Sequence, residues 1–163
     1  MKKKKKVATK SKKRRVYTYG VFDLFHSGHA ELLKKAKGLG DHLVVGLFTD
    51  EVAASFKRQP VIPYEHRKAV LHHITFVDEV VPQDELLPHK NILKIKPHIL
   101  AKGPGAGWEP KMKEAPGEEA IKAVGGKVVR LPYHEGISTS QIIKKIADNH
   151  GNSLKSPARK NRN

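Results

Sequence analysis

Two histidines three residues apart, His26 and His29, are the first side chains in this 163-residue sequence that could do chemistry together. Ser27 and Gly28 separate them, and small residues let a ligand approach the backbone closely. Imidazole N–H groups at this spacing can stabilise the charge that develops during phosphoryl transfer, where catalysis is largely positioning and electrostatics. Two alternatives stay open. One is a metal-binding pair, for which no third ligand stands at motif spacing, and the other is two ordinary histidines.

The segments on either side of this pair predict a strand that runs directly into a helix. The β-branched and aromatic residues before it are Val16, Tyr17 and Tyr19. After it, one helical face collects Leu32, Leu33, Ala36 and Leu39. A strand that turns straight into a helix presents the helix's unpaired N-terminal amides at the carboxyl edge of a sheet, where anions bind. The sequence therefore predicts an anion site at the turn that contains His26 and His29.

Five strands, at residues 16–19, 42–48, 77–81, 98–101 and 127–131, alternate with helices along the chain. This alternation predicts an α/β fold, a Rossmann-like open and mainly parallel five-stranded sheet with helices on both faces. A less regular stretch is expected at residues 53–60. The ligand should lie at the carboxyl edge, at the switch point beside the first strand.

Four motifs, in order, resemble the cytidylyltransferase-like family of nucleotidyltransferases. Residues 26–29 (His-Ser-Gly-His) match its His-x-Gly-His signature, and Lys57 stands where the family has a phosphate-binding lysine. Residues 64–67 (Tyr-Glu-His-Arg) resemble its Glu-x-x-Arg helix start, and residues 136–140 (Gly-Ile-Ser-Thr-Ser) resemble its last signature. The resemblance covers roughly residues 16–147. Within the family, the chain is similar to glycerol-3-phosphate cytidylyltransferase and its phosphocholine and phosphoethanolamine relatives.

This resemblance implies that the chain transfers CMP from CTP to a small phosphorylated alcohol and releases pyrophosphate. Magnesium would offset the charge of the triphosphate, and homodimers are common in the family. The catalytic residues implied are His26, His29, Lys57 and Arg67, with Lys57 as a mobile clamp on the phosphates. Contacts to the nucleotide and its phosphates are implied for Gly20, Phe22, Asp23, Gly28, Lys102, Gly103, Ser138, Thr139 and Ser140. No residue is predicted to bind a metal.

Three of these residues also have simpler interpretations. Asp23 could be an ordinary cap or turn residue, and Lys57 could be a solvated loop charge. Arg67 could pair structurally with Glu65 or Asp78. For all three, the family resemblance is what favours a ligand contact.

Residues 138–141 (Ser-Thr-Ser-Gln) fit a capping box, with Ser138 as N-cap and Gln141 at the third helical position. The cap explains the pattern without any ligand. It also presents the hydroxyls and amides of Thr139 and Ser140 to an anion, which we expect to be the β- and γ-phosphates.

Two departures from the cytidylyltransferase pattern bear on the substrate. Tyr133 occupies a position where many of these enzymes have arginine, and the segment from Lys102 to Trp108 lacks the acidic pair common in the glycerol-3-phosphate enzymes. Residues 102–103 and 125–129 instead resemble sugar-phosphate adenylyltransferases of the same fold. The alternative activity is therefore adenylyl transfer to a sugar 1-phosphate.

The formal net charge of +16 comes from the two ends of the chain. Residues 1–15 and 150–163 hold 14 of the 32 Lys and Arg and no acid, whereas residues 16–149 have a net charge of +2. We expect a nucleotidyltransferase domain over 16–149 between two disordered basic tails. The tails could contact nucleic acid or an anionic membrane, and a second alternative is a polyanion-binding module that works through them.

Composition also limits the protein class. The chain has no cysteine, so it can form neither disulfides nor thiolate sites. No apolar run approaches the roughly 20 residues that span a bilayer, and the basic N-terminus precedes no hydrophobic segment of the secretory kind. We expect a cytoplasmic protein.

Overall fold

The computed structural model describes residues 13–103, 115–132 and 136–153, with side chains as far as Asn149. Its elements, in chain order, are β1 (Arg15–Gly20), α1 (Ser27–Lys37), β2 (His42–Phe48), α2 (Asp50–Phe56), α3 (Tyr64–His72), β3 (Glu79–Gln83), α4 (His89–Ile95), β4 (Ile99–Lys102), α5 (Glu118–Ala123), β5 (Lys127–Arg130) and α6 (Thr139–Ser153). Within these described residues, no helix has both the length and the apolar character needed to cross a lipid bilayer.

The strands form one sheet in the order β3-β2-β1-β4-β5, and every neighbouring pair is parallel. Successive side chains of a strand point to opposite faces, so the continuous apolar runs of β1 and β2 require cover on both sides. Helices α1 and α3 supply it on one face, and α2, α4 and α5 supply it on the other. The predicted fold class is confirmed.

The two cores show this alternation residue by residue. On the α1 side the packed strand and helix residues include Val16, Leu43, Val45, Leu47, Leu33, Ala36 and Leu71. On the other side they include Tyr17, Tyr19, Val44, Phe48, Ala53, Ile92, Ala120 and Ile121. Both sets are removed from water, and each buried valine, leucine, isoleucine or phenylalanine among them contributes roughly 1.5–3 kcal/mol relative to exposure.

The strand order places β1 at the point where the chain changes direction across the sheet. From β1 the chain passes through α1 to β2 on one side, and it later reaches β4 on the other side. The loops that leave the carboxyl ends of β1 and β4 therefore diverge and leave a crevice between them, which is where open α/β sheets bind ligands.

The expectation of an irregular stretch at residues 53–60 was wrong for its first half, because α2 continues to Phe56. Thr49 caps this seven-residue helix through a bond from the Val52 amide to its hydroxyl (3.4 Å), and Asp50 and Glu51 lie in the first turn, where the helix dipole favours acids.

The ends of the described chain also differ in detail from the predicted tails. Strand β1 begins at Arg15, and α6 continues to Ser153, so both elements extend past the expected domain limits. The remainder of both predicted tails, residues 1–12 and 154–163, lies outside the described residues.

A buried polar network connects β1, β3 and α4. The Tyr17 hydroxyl donates to the side-chain oxygen of Gln83 (2.6 Å), and the Asn91 amide donates to both residues. Each buried polar group thereby has a partner, which keeps the cost of its desolvation low. Tyr17 fits here because Gly46 on the neighbouring strand has no side chain, and an added Cβ would overlap the tyrosine ring.

We therefore expect Gly46→Ala to lower the free energy of unfolding by about 1–3 kcal/mol through overpacking. Gly38→Ala is the matched control, because a Cβ there would lie at an ordinary 3.4 Å from the nearest atom, the Lys35 carbonyl oxygen. Chemical denaturation of both variants measures the difference. Equal stability of the two variants would contradict the packing described here.

Candidate active site

A cavity of about 260 Å³ opens at the carboxyl edge of the sheet, at the crevice beside β1. Its walls come from the loop after β1, the start of α1, the segment after α2, the end of β4 and the start of α6. The structure brings together these predicted site residues at the cavity: Gly20, Phe22, Asp23, His26, Gly28, His29, Lys57, Gly103, Ser138, Thr139 and Ser140. Arg67 and Lys102 are not among the lining residues.

His26 is the N-cap of α1. Its backbone is extended, and its Nδ1 atom accepts a hydrogen bond from the Gly28 amide (3.1 Å). A Cβ on Gly28 would lie 2.9 Å from Cε1 of His26, closer than real side chains approach. The glycine between the two histidines is thus needed for the first one to cap the helix.

His29 stacks on His26, with 3.9 Å between ring centroids and 22° between ring planes. The ring of Phe22 meets it edge-on at 5.3 Å. Burial lowers the pKa of His29 to about 4, and repulsion from His26 and Lys57 adds to the effect. At neutral pH the ring is therefore an uncharged N–H donor. Its buried Nδ1 atom has no hydrogen-bond partner among the described residues.

Asp23 is 3% exposed and holds the segment after α2 against the cavity. One carboxylate oxygen accepts from the Ile62 amide (2.9 Å). The other accepts from the Val61 amide (3.0 Å) and from the Arg58 guanidinium (3.3 Å). With these three donors, the carboxylate works as a structural anchor, which agrees with the interpretation of Asp23 as a turn residue.

Among the described residues, three cationic side chains line the cavity. Lys57 follows α2 directly, and partial desolvation together with the neighbouring Arg58 lowers its pKa. Arg58 and Lys35 line the same cavity, although sequence reasoning gave neither of them a role in the site. In the sequence, only its position next to Lys57 pointed to a role for Arg58 in the site. The structure adds the ion pair between Arg58 and Asp23, which orients the loop.

The start of α6 forms the opposite wall. The Gln141 amide donates to the Ser138 hydroxyl (3.3 Å), so Ser138 caps the helix as predicted. Thr139 is buried, and its hydroxyl donates to the backbone carbonyl of Asp23 (3.0 Å). Ser140 is exposed on the cavity side. The N-termini of α1 and α6 therefore meet at one cavity, and both favour an anion there.

A family model described as Cytidylyltransferase-like matches residues 17–145, which is most of the chain. The chain belongs to the cytidylyltransferase-like family. It is therefore a nucleotidyltransferase-like protein, and the resemblance found in the sequence motifs is confirmed at the level of the family.

Curated relatives and one solved structure are also similar. The chain is 38% identical over 138 residues to the bifunctional protein HldE of Yersinia pestis (strain Pestoides F) and, at the same identity, to HldE of Yersinia pseudotuberculosis serotype O:1b. The match covers 83% of this chain and 28% of each relative, so the chain spans about a quarter of their length. The lipopolysaccharide core biosynthesis protein from Thermoplasma volcanium GSS1 is 29% identical with a TM-score of 0.64, over 77% of this chain and 100% of that one.

Arg67 is held by protein partners in the structure, and the ligand contact expected of it stays a prediction. The residue is 2% exposed, and its guanidinium donates to the carbonyls of Ile62 (2.8 Å), Val21 (2.6 Å) and Phe48 (3.0 Å). It also forms an ion pair with Asp50 at 2.6 Å, in place of the pairs considered from sequence. Arg67 thus joins the ends of β1 and β2 to the start of α3 from behind the cavity wall.

Lys102 also lies behind the wall. It is 2% exposed, its ammonium donates to the Tyr19 hydroxyl (2.5 Å), and burial lowers its pKa to about 8. Tyr19 itself is among the residues that line the cavity. Gly103 lines the cavity directly. Residues 104–114 and 133–135, which include Tyr133, are outside the described part of the chain.

The described residues do not fit a magnesium ion held by protein ligands. Asp23 is the one carboxylate among the described lining residues, and all of its printed contacts are to protein donors. Across the described chain, no group of three potential ligands comes together. Magnesium at this cavity would be held by the phosphates of a nucleoside triphosphate and by water.

The position of Arg67 makes a prediction about stability. Arg67→Lys should lower the free energy of unfolding by about 3 kcal/mol, because several buried acceptors lose a donor and each such loss costs about 1–3 kcal/mol. His66→Lys on the exposed side of the same helix is the control and should change stability by less than about 0.5 kcal/mol. If Arg67→Lys instead left stability unchanged and raised the KM for nucleotide, the result would support a ligand contact by Arg67.

The lowered pKa of His29 makes a prediction about pH. Its folded pKa of about 4 lies below the ordinary value of 6.5, so on acidification the unfolded chain binds this proton first. The stabilising contribution is complete above the ordinary pKa and is lost as the pH falls towards 4. Between these two values, wild type should lose stability more steeply than His29→Asn, since each pKa unit corresponds to about 1.4 kcal/mol. Denaturation series at several pH values measure both slopes, and identical slopes would show that His29 titrates normally.

Proposed function

We propose that this chain transfers AMP from ATP to the phosphate of a phosphorylated sugar and releases pyrophosphate. An oxygen of the acceptor phosphate attacks the α-phosphorus, and the bond from that phosphorus to the bridging oxygen of pyrophosphate breaks. The observation that carries the reaction class is the stacked pair of His26 and His29 between the N-termini of α1 and α6.

The parts of the cavity suit the separate demands of this reaction. His29, neutral and desolvated, donates an N–H to an oxygen of the α-phosphate, where charge accumulates in the transition state. Lys57 and Arg58 face the negative charge of the triphosphate and acceptor. The capped start of α6 receives the β- and γ-phosphates through its free amides. No covalent intermediate with the protein is required.

The choice of acceptor rests on the relatives. One is named for lipopolysaccharide core biosynthesis, and its whole length matches this chain. The lipopolysaccharide core is built of sugars, and sugars enter such polymers in nucleotide-activated form. The resemblance of residues 102–103 and 125–129 to sugar-phosphate adenylyltransferases supports the same substrate class and favours ATP.

CMP transfer from CTP to a small phosphorylated alcohol is the second candidate. Lys57 at the cavity and the Ser138 cap are the observations that favour it, because both belong to the motifs that resemble the CTP-dependent enzymes. A homodimer, a cytoplasmic location and polyanion binding by the basic tails stay predictions.

A pyrophosphate-release assay on the full chain separates these candidates. ATP, CTP, GTP and UTP are each combined with a panel of sugar 1-phosphates, glycerol 3-phosphate, phosphocholine and phosphoethanolamine. We expect the highest kcat/KM for ATP with a sugar 1-phosphate, by about a hundredfold or more over CTP, because a base contacted by hydrogen bonds excludes a mismatched base strongly. His29→Ala should lower kcat by about a hundredfold or more with a much smaller change in nucleotide affinity.

The outcomes are distinct. Preference for CTP with a phosphorylated alcohol would replace the proposal with the second candidate. If turnover is the same in wild type and His29→Ala while both are folded, the catalytic assignment of the histidine pair is wrong.

A further inference from the structure

Thr139 connects the start of α6 to the loop after β1 across 116 residues of sequence. Its hydroxyl oxygen lies 3.0 Å from the carbonyl oxygen of Asp23 and 3.5 Å from Nε2 of His26. The side chain is buried, whereas the neighbouring Ser140 is exposed on the cavity side. Thr139 is therefore placed to act on His26 and not only on a phosphate.

The direction of these hydrogen bonds specifies where the protons lie. A threonine hydroxyl has one proton, and a carbonyl oxygen can only accept. The proton of Thr139 therefore points to the carbonyl of Asp23. Towards His26, the Thr139 oxygen can only accept, and so Nε2 of His26 must carry a proton.

The other nitrogen of His26 leads to the same conclusion independently. Its Nδ1 atom accepts from the amide of Gly28, and an amide nitrogen can only donate. Nδ1 is thus the unprotonated nitrogen. The ring of His29 stacks on one face of the imidazole and limits its rotation. Two contacts from separate parts of the chain therefore select the Nε2–H tautomer of His26.

We propose that Thr139 is a positioning residue for His26: its oxygen accepts from Nε2–H and so holds the ring and its proton at the cavity until a phosphate oxygen takes over that hydrogen bond. This inference rests on the proposed function, in which the stacked pair of His26 and His29 serves the transferred phosphate. It also couples two parts of the site. The bond from Thr139 to Asp23 docks the start of α6, so the phosphate-binding end of α6 and the imidazole are correctly placed together.

A purely structural Thr139 would behave differently. It would anchor α6, and its loss would change stability and phosphate affinity without changing how fast the Nε2 proton of His26 exchanges with solvent. The exchange rate of that proton is therefore the decisive readout. It can be measured without substrate, which keeps it independent of the identity of nucleotide and acceptor.

The experiment is nitrogen-15 NMR of the full chain with labelled histidine, the His26 signals being assigned by their absence from His26→Asn. In wild type we expect a protonated Nε2 and an unprotonated Nδ1. Thr139→Val should leave Nδ1 unprotonated, because the Gly28 amide still donates to it, but should speed the exchange of the Nε2 proton with solvent. It should also lower kcat by about 10- to 100-fold, the range seen when a group that orients a metal-bound histidine is removed. Thr139→Ser should restore both, and Ser140→Ala should leave the Nε2 signal unchanged.

Three results would overturn the inference. One is a proton on Nδ1 in the wild type, which needs no variant and so holds even if Thr139→Val does not fold. The second is an unchanged exchange rate of the Nε2 proton in folded Thr139→Val. The third is a kcat loss that Thr139→Ser does not reverse. The expected tautomers together with no turnover on any substrate would instead contradict the proposed function and leave the positioning role in place.

Discussion

Asp23 is the residue on which the arrangement of the cavity depends. Its carboxylate holds the amides of Val61 and Ile62 and the guanidinium of Arg58, and its carbonyl accepts from Thr139. Hydrogen bonds to an ionised group are about twice as strong as neutral ones, and here they act in a nearly solvent-free position. Asp23 thus holds the loop after β1, the segment after α2 and the start of α6 in fixed positions relative to one another. The backbone residues on both sides of it have positive φ angles (51° and 48°), a conformation that these contacts help to maintain.

The electrostatics of the cavity divide the work between neutral and charged groups. Desolvation keeps His29 uncharged, and the nearby Lys57 adds to this effect by repelling a second positive charge. Burial costs a neutral imidazole much less than a charged one, and the neutral ring can still donate a hydrogen bond where dielectric screening is weak. The cations Lys57 and Arg58 line the same cavity and can meet the larger charge of a triphosphate. Protonation of His29 would add a positive charge to the cavity, but the charged ring would be costly to bury. The hydrogen-bond donor and the cations are therefore separate side chains.

What the sequence could predict depended on whether the interaction was local. The strand–turn–helix at His26 and His29 and the cap at Ser138 are short patterns that need no knowledge of distant contacts, and the structure has both. Helix α2 was missed because seven residues offer too little periodicity for recognition, although its Thr49 cap was present in the sequence. The alternation of strands and helices was enough for the fold class, since parallel sheets have few alternatives.

Arg67 and Arg58 show why distant contacts are harder to predict. Arg67 looked like a ligand-binding cation, but three of its acceptors are backbone carbonyls, which any residue type supplies. No sequence pattern therefore marks such partners. Arg58 is the opposite case, because its position follows from Asp23, which is 35 residues away in the chain.

The cavity also explains how a nearly neutral domain can suit a highly charged ligand. Residues 16–149 have a net charge of only +2, so composition gives no indication of a strong anion site there. The fold brings Lys35, Lys57 and Arg58 to one cavity, and the single carboxylate among the described lining residues is turned towards protein donors. Two helix N-termini add partial positive charge in the same place. The positive electrostatic potential in the cavity therefore depends on where the strand order places these groups. It does not require the basic ends of the chain.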